Sequence, residues 1–331
     1  MKHVAITGST GFVGSALAIK LAQIGYQVHA LYRSSAKARI LNHANIRLFH
    51  GDLNDASSLE NAMEGCEGLF HTAAYVRIWS KQPSNYHEIN IQGTQNVLMA
   101  AKKCGITRAV FTSTAGIFGP SKGIPTDENQ SNTVLLNLYE ETKQRANELI
   151  LENNNTAFET VIVYPTRIFG PGVLGTSNSI TGMVDQYLKG QWHFIPSNGK
   201  SLGNYVFIDD VVNGHILAYE KGRAGEKYIL SGANLSYRDF FEIVRKITNT
   251  KHKLVKVPAF LLQVVAQLML LRANLTGKPP LITKAFVTKI LNNWEVSCHK
   301  AAIELGYHPK PFAEAMEDTI HWLASLNSKT I

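Results

Sequence analysis

Cysteine is scarce in this chain. Three occur among the 331 residues, Cys66, Cys104 and Cys298, and they are widely spaced and odd in number. The twelve histidines also lack a paired ligand spacing. Secreted disulfide proteins carry even sets of cysteines, and structural zinc sites need closely spaced Cys or His ligands. These absences argue against a disulfide framework and a metal site, and they indicate a reducing compartment.

Long apolar runs and basic runs are missing as well. No apolar stretch reaches the ~20 residues that span a bilayer. A strand pattern begins at residue 2 or 3, so we expect no secretory leader. Lys and Arg outnumber Asp and Glu by 33 to 25, but they form no basic run with interleaved aromatic residues. We therefore expect a soluble, cytoplasmic protein without a nucleic-acid partner, whose positive charge helps to attract an anionic cofactor.

The most apolar segment covers residues 260–271, where only Gln263 and Gln267 form a polar line. A helix that is hydrophobic on nearly every side is usually buried. Such a helix can also line an apolar substrate pocket or, with basic residues such as Lys256 and Arg272 nearby, rest on an anionic membrane surface. The pattern favours a buried helix and leaves the two other interpretations open.

The first residues of the chain combine an apolar strand pattern, a glycine turn and the start of a helix. Gly8 permits a tight turn, Gly11 lets the backbone approach a pyrophosphate, and Gly14 lets the helix pack close to the strand. The helix N-terminus adds N–H groups and partial positive charge. The spacing is one residue longer than the commonest dinucleotide fingerprint. Its place between strand and helix still predicts a nucleotide site.

The end of the second strand should select the dinucleotide. An acidic side chain at this place would bind the ribose of NAD, but Arg33 stands there, followed by Ser34, Ser35 and Lys37. A planar guanidinium, hydroxyl groups and a second cation suit a phosphate. We therefore expect NADP rather than NAD, with a solvated basic loop as the alternative.

Tyr139 and Lys143 lie four residues apart on a predicted helix, so they share one face and can act on the same atom. This spacing is common on helix surfaces and gains meaning from the glycine turn. A positive charge about 4 Å from a phenol supplies roughly 4 kcal/mol at an effective dielectric near 20. We therefore expect Lys143, aided by the positive charge of an oxidised nicotinamide, to lower the pKa of Tyr139 toward neutrality, so that the phenol can donate and accept a proton.

Together these motifs resemble the extended short-chain dehydrogenase/reductase superfamily of NAD(P)-dependent epimerases, dehydratases and reductases, and the resemblance covers nearly the whole chain. Its other segments with family counterparts are Gly51-Asp52-Leu53, Phe70-His71-Thr72-Ala73-Ala74, the stretch from Asn90 to Val97, and the stretch from Phe111 to Gly119. These motifs, in this order, are specific for the superfamily but not for a reaction.

The resemblance implies a fold and a set of site residues. The fold would be α/β, a doubly wound parallel (Rossmann) sheet with a smaller, mainly helical substrate domain, which agrees with the alternating strand and helix signals up to about residue 165. Residues 1–165 and 203–229 would bind NADP, and 166–202 and 230–331 would bind substrate. The catalytic residues would be Thr114, Tyr139 and Lys143. The cofactor would contact Gly8, Thr10, Gly11, Phe12, Val13, Arg33, Lys37, Asp52, Leu53, Ala73, Ala74, Thr112, Tyr139, Lys143, Tyr164 and Pro165.

Within the superfamily, the chain most resembles dihydroflavonol-4-reductase-like proteins and the hopanoid-associated sugar epimerase group. Sugar epimerases usually carry Arg where Tyr164 stands, and nucleotide-sugar enzymes carry an Arg-Asp pair where Gly203 and Asn204 stand. The missing Arg argues against a substrate pyrophosphate, although Arg167 or Arg238 could replace it. Bulky side chains favour an apolar or aromatic substrate, and the candidates for the pocket wall are Tyr75, Ile78, Trp79, Phe118 and Phe169.

The sequence thus predicts an NADP(H)-dependent oxidoreductase that interconverts a ketone and a secondary alcohol on a small molecule. The alternatives are a sugar or nucleotide-sugar epimerase or dehydratase that recycles its cofactor, and a non-catalytic NADP-sensing protein. Such sensors generally lack the Tyr and Lys pair, so its presence argues against the last possibility. The resemblance also implies a homodimer built from the helices around Asn90 and Tyr139.

Overall fold

The computed structural model describes residues 2–130 and 134–328. Twelve strands and thirteen α-helices lie within these ranges. The strands are β1 (His3–Thr7), β2 (Gln27–Tyr32), β3 (Ile46–His50), β4 (Gly68–His71), β5 (Arg108–Thr112), β6 (Glu159–Pro165), β7 (Arg167–Phe169), β8 (Phe194–Pro196), β9 (Leu202–Phe207), β10 (Lys227–Leu230), β11 (Ala233–Ser236) and β12 (Val255–Val257).

The helices alternate with the strands in the first half of the chain and dominate its last third. They are α1 (Phe12–Gln23), α2 (Ser35–Ala38), α3 (Ala56–Met63), α4 (Ser84–His87), α5 (Gly93–Lys103), α6 (Leu138–Glu152), α7 (Ser179–Leu188), α8 (Ile208–Lys221), α9 (Tyr237–Thr248), α10 (Ala259–Thr276), α11 (Lys284–Leu291), α12 (His299–Leu305) and α13 (Phe312–Ser328). A π-helical turn, Glu88–Gln92, joins α4 to α5.

Seven parallel strands form the central sheet in the order β10-β6-β5-β4-β1-β2-β3. This confirms the predicted α/β doubly wound fold. Residues at successive positions of β1, such as Val4, Ala5 and Ile6, are buried on both faces of the sheet. Continuous apolar strands of this kind are typical of a parallel sheet covered by helices.

The chain changes direction across the sheet between β1 and β4. From β1 it runs outward through β2 to β3, and then returns to β4 on the opposite side of β1. In open α/β sheets, ligands bind in the crevice outside the carboxyl ends of the strands at such a switch point. The turn after β1 and the segment after β4 should therefore line the ligand site.

Two small sheets lie beyond the central one. In the first, β9 pairs with β7 in parallel and with β11 antiparallel, and in the second β12 pairs with β8. The segment 203–229 therefore contributes β9 to a small sheet and β10 to the edge of the central sheet. Between them, α8 packs against α1 and β6.

The expectation that residues 260–271 form a buried helix is wrong for most of its surface. The segment lies within α10, where the buried residues are Leu262, Ala266 and Ala273. This helix packs mainly on α11 and has no second layer above it within the described residues. The prediction of burial came from apolar composition alone. Composition does not show whether another element of the fold packs on the outer face of the helix.

Candidate active site

The glycine turn after β1 lies tightly against the chain that follows β4. Gly8 has φ +73°, and a Cβ there would lie 2.5 Å from the backbone nitrogen of Ala73. A Cβ on Gly14 would lie 2.5 Å from the Thr72 hydroxyl oxygen. Side chains at these two positions would therefore separate the two segments. Gly11, between these two glycines, is exposed at the start of α1, where backbone N–H groups can contact a pyrophosphate.

The predicted contacts around this turn differ in character. Thr10 and Val13 are half-buried, as are Ala73 and Ala74 after β4. The Phe12 side chain is 1% exposed and belongs to the hydrophobic core. Phe12 can therefore offer its backbone N–H but not its ring to a cofactor.

Four predicted adenosine-side residues lie at the ends of β2 and β3. The Arg33 side chain is 76% exposed and approaches the Asp52 carboxylate at 3.5 Å. Lys37 is exposed on α2, and Leu53 is half-buried. An exposed ion pair of this kind contributes little to stability. The Arg33 guanidinium is therefore free to turn toward a phosphate.

The three predicted catalytic residues meet where β5 ends and α6 begins. Asn137 caps α6 by accepting a hydrogen bond from Glu140 N–H at 3.0 Å, which places Tyr139 in the first turn. Thr114 lies two residues beyond β5, and its hydroxyl is close enough to the Tyr139 phenol to lower the pKa of that group. One turn further along α6, the Lys143 ammonium donates to the carbonyl oxygen of Thr112 at 2.7 Å.

Burial controls the protonation of this group. It raises the pKa of Tyr139 above its usual range, the Glu140 carboxylate raises it further, and the Thr114 hydrogen bond opposes both. Burial also lowers the pKa of Lys143 to about 8. In the protein without cofactor, the Tyr139 pKa is therefore not brought toward neutrality as expected, because burial disfavours the phenolate and the Glu140 carboxylate adds to this effect. At neutral pH the phenol keeps its proton and can donate it.

His215 supports the strand end that holds Lys143. Its Nδ1 lies 2.7 Å from the carbonyl oxygen of Val211, which can only accept, so Nδ1 carries the proton. Its Nε2 accepts from the Thr112 hydroxyl at 2.8 Å. The ring is fully buried, and burial lowers its pKa to about 4. His215 is thus a neutral structural residue beneath Thr112.

A second buried network runs from β1 to α6 through His71. The Thr94 hydroxyl donates to the carbonyl oxygen of Asn90 at 2.7 Å, so it accepts from His71 Nε2 at 3.3 Å, and His71 Nδ1 accepts from the Thr7 hydroxyl at 2.7 Å. Burial, and then the Lys143 ammonium, lower the pKa of His71 to about 3. The His71 ring is therefore neutral and close to Lys143.

Asn90 links the loop after β4, which contains Tyr75, to helix α6, which carries Tyr139 and Lys143. Its side-chain oxygen accepts from Tyr75 N–H at 2.7 Å, and its side-chain nitrogen donates to the Thr142 hydroxyl at 3.0 Å. Sequence reasoning placed Asn90 only within a family motif and assigned it no role in the site. The signal that could have identified it was a polar residue at the start of the family motif that runs from Asn90 to Val97.

Glu140 and Lys289 are also absent from the predicted site. The Glu140 carboxylate is fully buried, accepts from Leu136 N–H at 2.8 Å and forms an ion pair with Lys289 of α11. A Cβ added to Gly116 would lie 3.1 Å from the Lys289 nitrogen, which shows how closely the pair approaches the Thr114 segment. The partners are too far apart in sequence for any local pattern to join them.

The predicted pocket residues divide into two groups. Tyr75 and Trp79 are half-buried and Ile78 is 43% exposed, so they are accessible from solvent. Phe118 is 7% exposed and Phe169 is 1% exposed.

Phe118 and Phe169 are core residues, which corrects their assignment to the pocket wall. Phe169 packs between Phe207 and Phe312, and Phe118 packs on Tyr164 with ring centroids 5.0 Å apart. The Tyr164 ring and Pro165 are buried as well, so their side chains are not open to a cofactor in this arrangement. Bulk alone could not distinguish core from pocket.

Arg167 lies in the space left by Gly203. A Cβ on Gly203 would approach the Arg167 guanidinium carbon to 2.9 Å. The guanidinium donates to the hydroxyls of Tyr205 at 3.3 Å and Tyr237 at 3.2 Å. Within the described residues, no carboxylate forms a salt bridge with it. In the same parts of the chain, no cluster of three or more His, Cys, Asp and Glu side chains is arranged to hold a metal ion.

Comparisons with known proteins agree with this geometry. The model of the NAD dependent epimerase/dehydratase family matches residues 4–231. A Synechocystis sp. protein named "Putative dihydroflavonol 4-reductase" is 31% identical over 325 residues, 96% of this chain and 93% of that protein. A 2-alkyl-3-oxoalkanoate reductase of Stenotrophomonas maltophilia is 27% identical, covering 93% and 94% of the two chains. The crystal structure of gox2253 has a TM-score of 0.83 at 31% identity and 98% coverage of both chains.

Proposed function

The chain belongs to the NAD dependent epimerase/dehydratase family, and we propose that it is an NADP(H)-dependent reductase that interconverts a ketone and a secondary alcohol on a small apolar or aromatic substrate. The observation that carries this proposal is the placement of the Thr114 hydroxyl beside a protonated Tyr139 phenol, one helical turn from Lys143. These groups lie outside the carboxyl end of β5 in the central sheet, where α/β proteins bind their ligands.

The chain's own residues fit a dinucleotide. Gly8 and Gly14 let the start of α1 pack closely on the segment after β4, and the exposed Gly11 lets backbone approach the pyrophosphate there. Asp52 and Leu53 lie just after β3, on the adenosine side. When bound, a nicotinamide would supply or accept the hydride of the reaction. Lys143 would hold its ribose, as the resemblance implies.

Each catalytic side chain has a separate task. Tyr139 protonates the oxygen of the reacting carbonyl, because its raised pKa keeps the proton on the phenol at neutral pH. Thr114 donates a hydrogen bond to the same oxygen as negative charge develops there. Lys143, protonated below a pKa of about 8, stabilises the phenolate that remains on Tyr139.

The preference for NADP rests on Arg33 and Lys37. Both are exposed at the end of β2, where an NAD enzyme would carry an acid. Arg33 is paired only loosely with Asp52, at 3.5 Å. A bidentate guanidinium–phosphate contact is stronger than this exposed pair, so phosphate binding can replace it.

Two observations support an apolar ketone substrate. Two of the relatives described above carry the names of reductases. In this chain, Tyr75 is fixed by a hydrogen bond from its backbone N–H to Asn90 and presents a half-buried ring beside Tyr86. Trp79 follows in the same loop. Aromatic side chains of this kind provide apolar walls with a polar edge.

A nucleotide-sugar epimerase is the second candidate, and Arg167 favours it. This guanidinium is held by two phenols rather than by a carboxylate, so some of its five donors can bind an anionic substrate. A non-catalytic NADP sensor is disfavoured, because it would not need Tyr139 and Lys143 together. We also propose a cytoplasmic homodimer that uses the helices around Asn90 and Tyr139.

Absorbance at 340 nm separates the candidates. The purified protein would be mixed with NADPH or NADH and a panel of aryl and alkyl ketones, and in parallel with nucleotide sugars. A reductase consumes NADPH in proportion to the ketone. An epimerase converts one sugar isomer into another without net absorbance change, and a sensor binds NADPH with neither result. Conversion of sugars alone would contradict the proposal.

A further inference from the structure

A stripe of large apolar side chains lies exposed along α10. The side chains of Phe260, Val264, Leu268, Leu271 and Leu275 are 68%, 49%, 62%, 58% and 79% exposed. Their spacing of three or four residues matches the helical period of ~3.6, so they form one continuous face. Single exposed apolar residues are common on protein surfaces, whereas a continuous apolar face that runs the length of a helix marks an interaction surface.

This face points directly away from the protein. The buried residues Leu262, Ala266 and Ala273 occupy the opposite side of the helix. The outer stripe is therefore not an incompletely packed edge of the core. Leu261 and Leu270 widen it on either side, at 43% and 37% exposed, and Leu281 follows the helix at 79% exposed.

The charge of the chain is concentrated around the same helix. Residues 243–294 contain nine Lys and Arg but no Asp or Glu. The whole chain has 33 basic and 25 acidic residues, so the remainder contains 24 basic and 25 acidic residues and is nearly neutral. The positive charge, which forms no basic run, is thus a property of one segment.

Most of these cations are available to a ligand. Lys251, Lys253 and Lys256 precede α10, and Lys278 and Lys284 follow it; all five are exposed. Within residues 2–130 and 134–328, the salt bridges of this segment involve only Lys246 and Lys289. The Lys81 side chain lies near Gly277 and adds a sixth exposed cation at the C-terminal end of the helix.

The composition of this surface selects its partner. A second copy of the chain would bring another nine cations to the same face, and the like charges would repel one another. A bilayer with anionic headgroups supplies an apolar layer for the stripe and negative charge for the basic residues at both ends of the helix.

The packing also determines how the helix would meet the bilayer. By length and composition α10 is the one helix in the described chain that could cross a membrane. A spanning helix would need lipid or other helices on every side, whereas the inner face of α10 is packed on the body of the enzyme. The helix can therefore lie only along the surface of a bilayer, as long as the protein stays folded.

We propose that the outer face of α10, together with the exposed lysines at its two ends, docks the enzyme onto an anionic lipid bilayer. The apolar stripe enters the boundary between headgroups and acyl chains, and the lysines contact lipid phosphates or carboxylates. The contact is reversible, because one apolar helix face and a few charges give limited binding. This proposal does not depend on the reaction that the site performs.

Co-sedimentation with vesicles tests the docking surface. The full chain would be mixed with vesicles of phosphatidylcholine alone and of phosphatidylcholine with phosphatidylglycerol. We expect about tenfold stronger partitioning onto the anionic vesicles, and a decrease at high salt, because screening weakens the lysine contacts. Leu268→Glu combined with Leu271→Glu should reduce partitioning at least about tenfold. Lys253→Glu with Lys256→Glu should remove most of the preference for anionic lipid.

Ile303→Glu is the matched control, since Ile303 is 69% exposed on α12, outside the stripe. It should bind vesicles like the unchanged chain. Leu275→Glu, at the most exposed position of the stripe, provides a second variant, and thermal melting verifies that each variant folds. Absence of vesicle binding by the unchanged chain, or equal binding by the α10 variants and the control, would overturn the proposal. A loss of self-association in the α10 variants, without vesicle binding, would show instead that a second copy covers this face.

Discussion

Glu140, the residue that follows Tyr139, is fully buried and forms an ion pair with Lys289 from α11. The pair connects the first turn of the catalytic helix to the C-terminal part of the chain. Removing one partner of a buried ion pair leaves an uncompensated charge in the protein interior. Lys289 is therefore expected to determine whether the first turn of α6 keeps its position.

Lys289→Met should lower the free energy of unfolding by about 3 kcal/mol or more, because the Glu140 carboxylate stays buried without its partner. Glu140→Gln should cost less, since Gln still accepts from Leu136 N–H and Lys289, at 26% exposed, can reach water. Combining both changes should recover part of the loss. Urea denaturation of the three variants measures these differences.

The matched control for this cycle is Lys246→Met. Lys246 pairs with Glu242 on α9, and the two side chains are 71% and 50% exposed. This change should cost less than about 1 kcal/mol, as exposed pairs usually do. Equal losses from Lys289→Met and Lys246→Met would show that the buried pair does not support the site.

Lys143→Met should strongly lower turnover without weakening the fold. Burial lowers the pKa of Lys143 from 10.5 to about 8, which costs roughly 3 kcal/mol while the amine is charged in the folded protein. The lost hydrogen bond to Thr112 offsets about 1–2 kcal/mol of that gain. At pH 7 the variant should be as stable as the unchanged protein or about 1–2 kcal/mol more stable, with turnover at least ~100-fold lower.

The contribution of Lys143 to stability can be checked by measuring the free energy of unfolding as a function of pH. Between about pH 8 and 10.5 the unfolded chain holds the Lys143 proton while the folded chain has released it. The stability of the unchanged protein should therefore rise with pH in this window, and Lys143→Met should lack that contribution. Lys189→Met, which alters an exposed lysine, serves as control. If Lys143→Met is less stable than the unchanged protein at pH 7, the claim that the buried Lys143 ammonium costs stability is contradicted.

Arg33→Asp should reverse the choice of cofactor. The new carboxylate would repel the 2′-phosphate of NADP and could accept a hydrogen bond from the ribose of NAD. We expect the ratio of kcat/KM for NADPH to that for NADH to fall at least about 100-fold, which corresponds to ~3 kcal/mol. Arg39→Asp, on the exposed turn after α2, is the control for general loss of positive charge. An unchanged ratio would remove Arg33 from the phosphate site.

His215 should make the fold sensitive to acid. Burial lowers its pKa from 6.5 to about 4, so the unfolded chain binds the proton more readily as the pH falls below 6.5. Between pH 6.5 and 4 this residue alone should cost about 3 kcal/mol of stability.

Urea midpoints across that pH range measure the effect. His215→Gln should reduce the dependence by that amount, with the remainder due in part to His71. His299→Gln, on the surface of α12, should leave the dependence unchanged. If His215→Gln and the unchanged protein show the same pH dependence of stability, His215 is not the buried, neutral residue beneath Thr112 that we describe.

The features that the sequence predicted correctly are local or periodic. The strand-to-helix turn at Gly8, Gly11 and Gly14 follows from glycine geometry and places a switch point at β1. The helix containing Tyr139 and Lys143 follows from its period of ~3.6 and from the capping residue Asn137. Such signals depend only on neighbouring residues.

The features that it missed depend on distant parts of the chain. The ion pair between Glu140 and Lys289 joins residues from different parts of the fold. Burial of Tyr139 reverses the expected direction of its pKa, and no local pattern reports how many atoms surround the phenol. The same limit explains why Phe169 was assigned to a pocket and α10 to the core.

Replacing Tyr139 by Phe tests the central claim most directly. Loss of the phenolic hydroxyl removes the proton donor while leaving the glycine turn, Arg33 and Lys143 in place. Turnover should fall ~100-fold or more, with the dissociation constant of NADPH, measured by fluorescence titration, nearly unchanged. A Tyr139→Phe variant that reduces its ketone substrate at the rate of the unchanged enzyme would contradict the account.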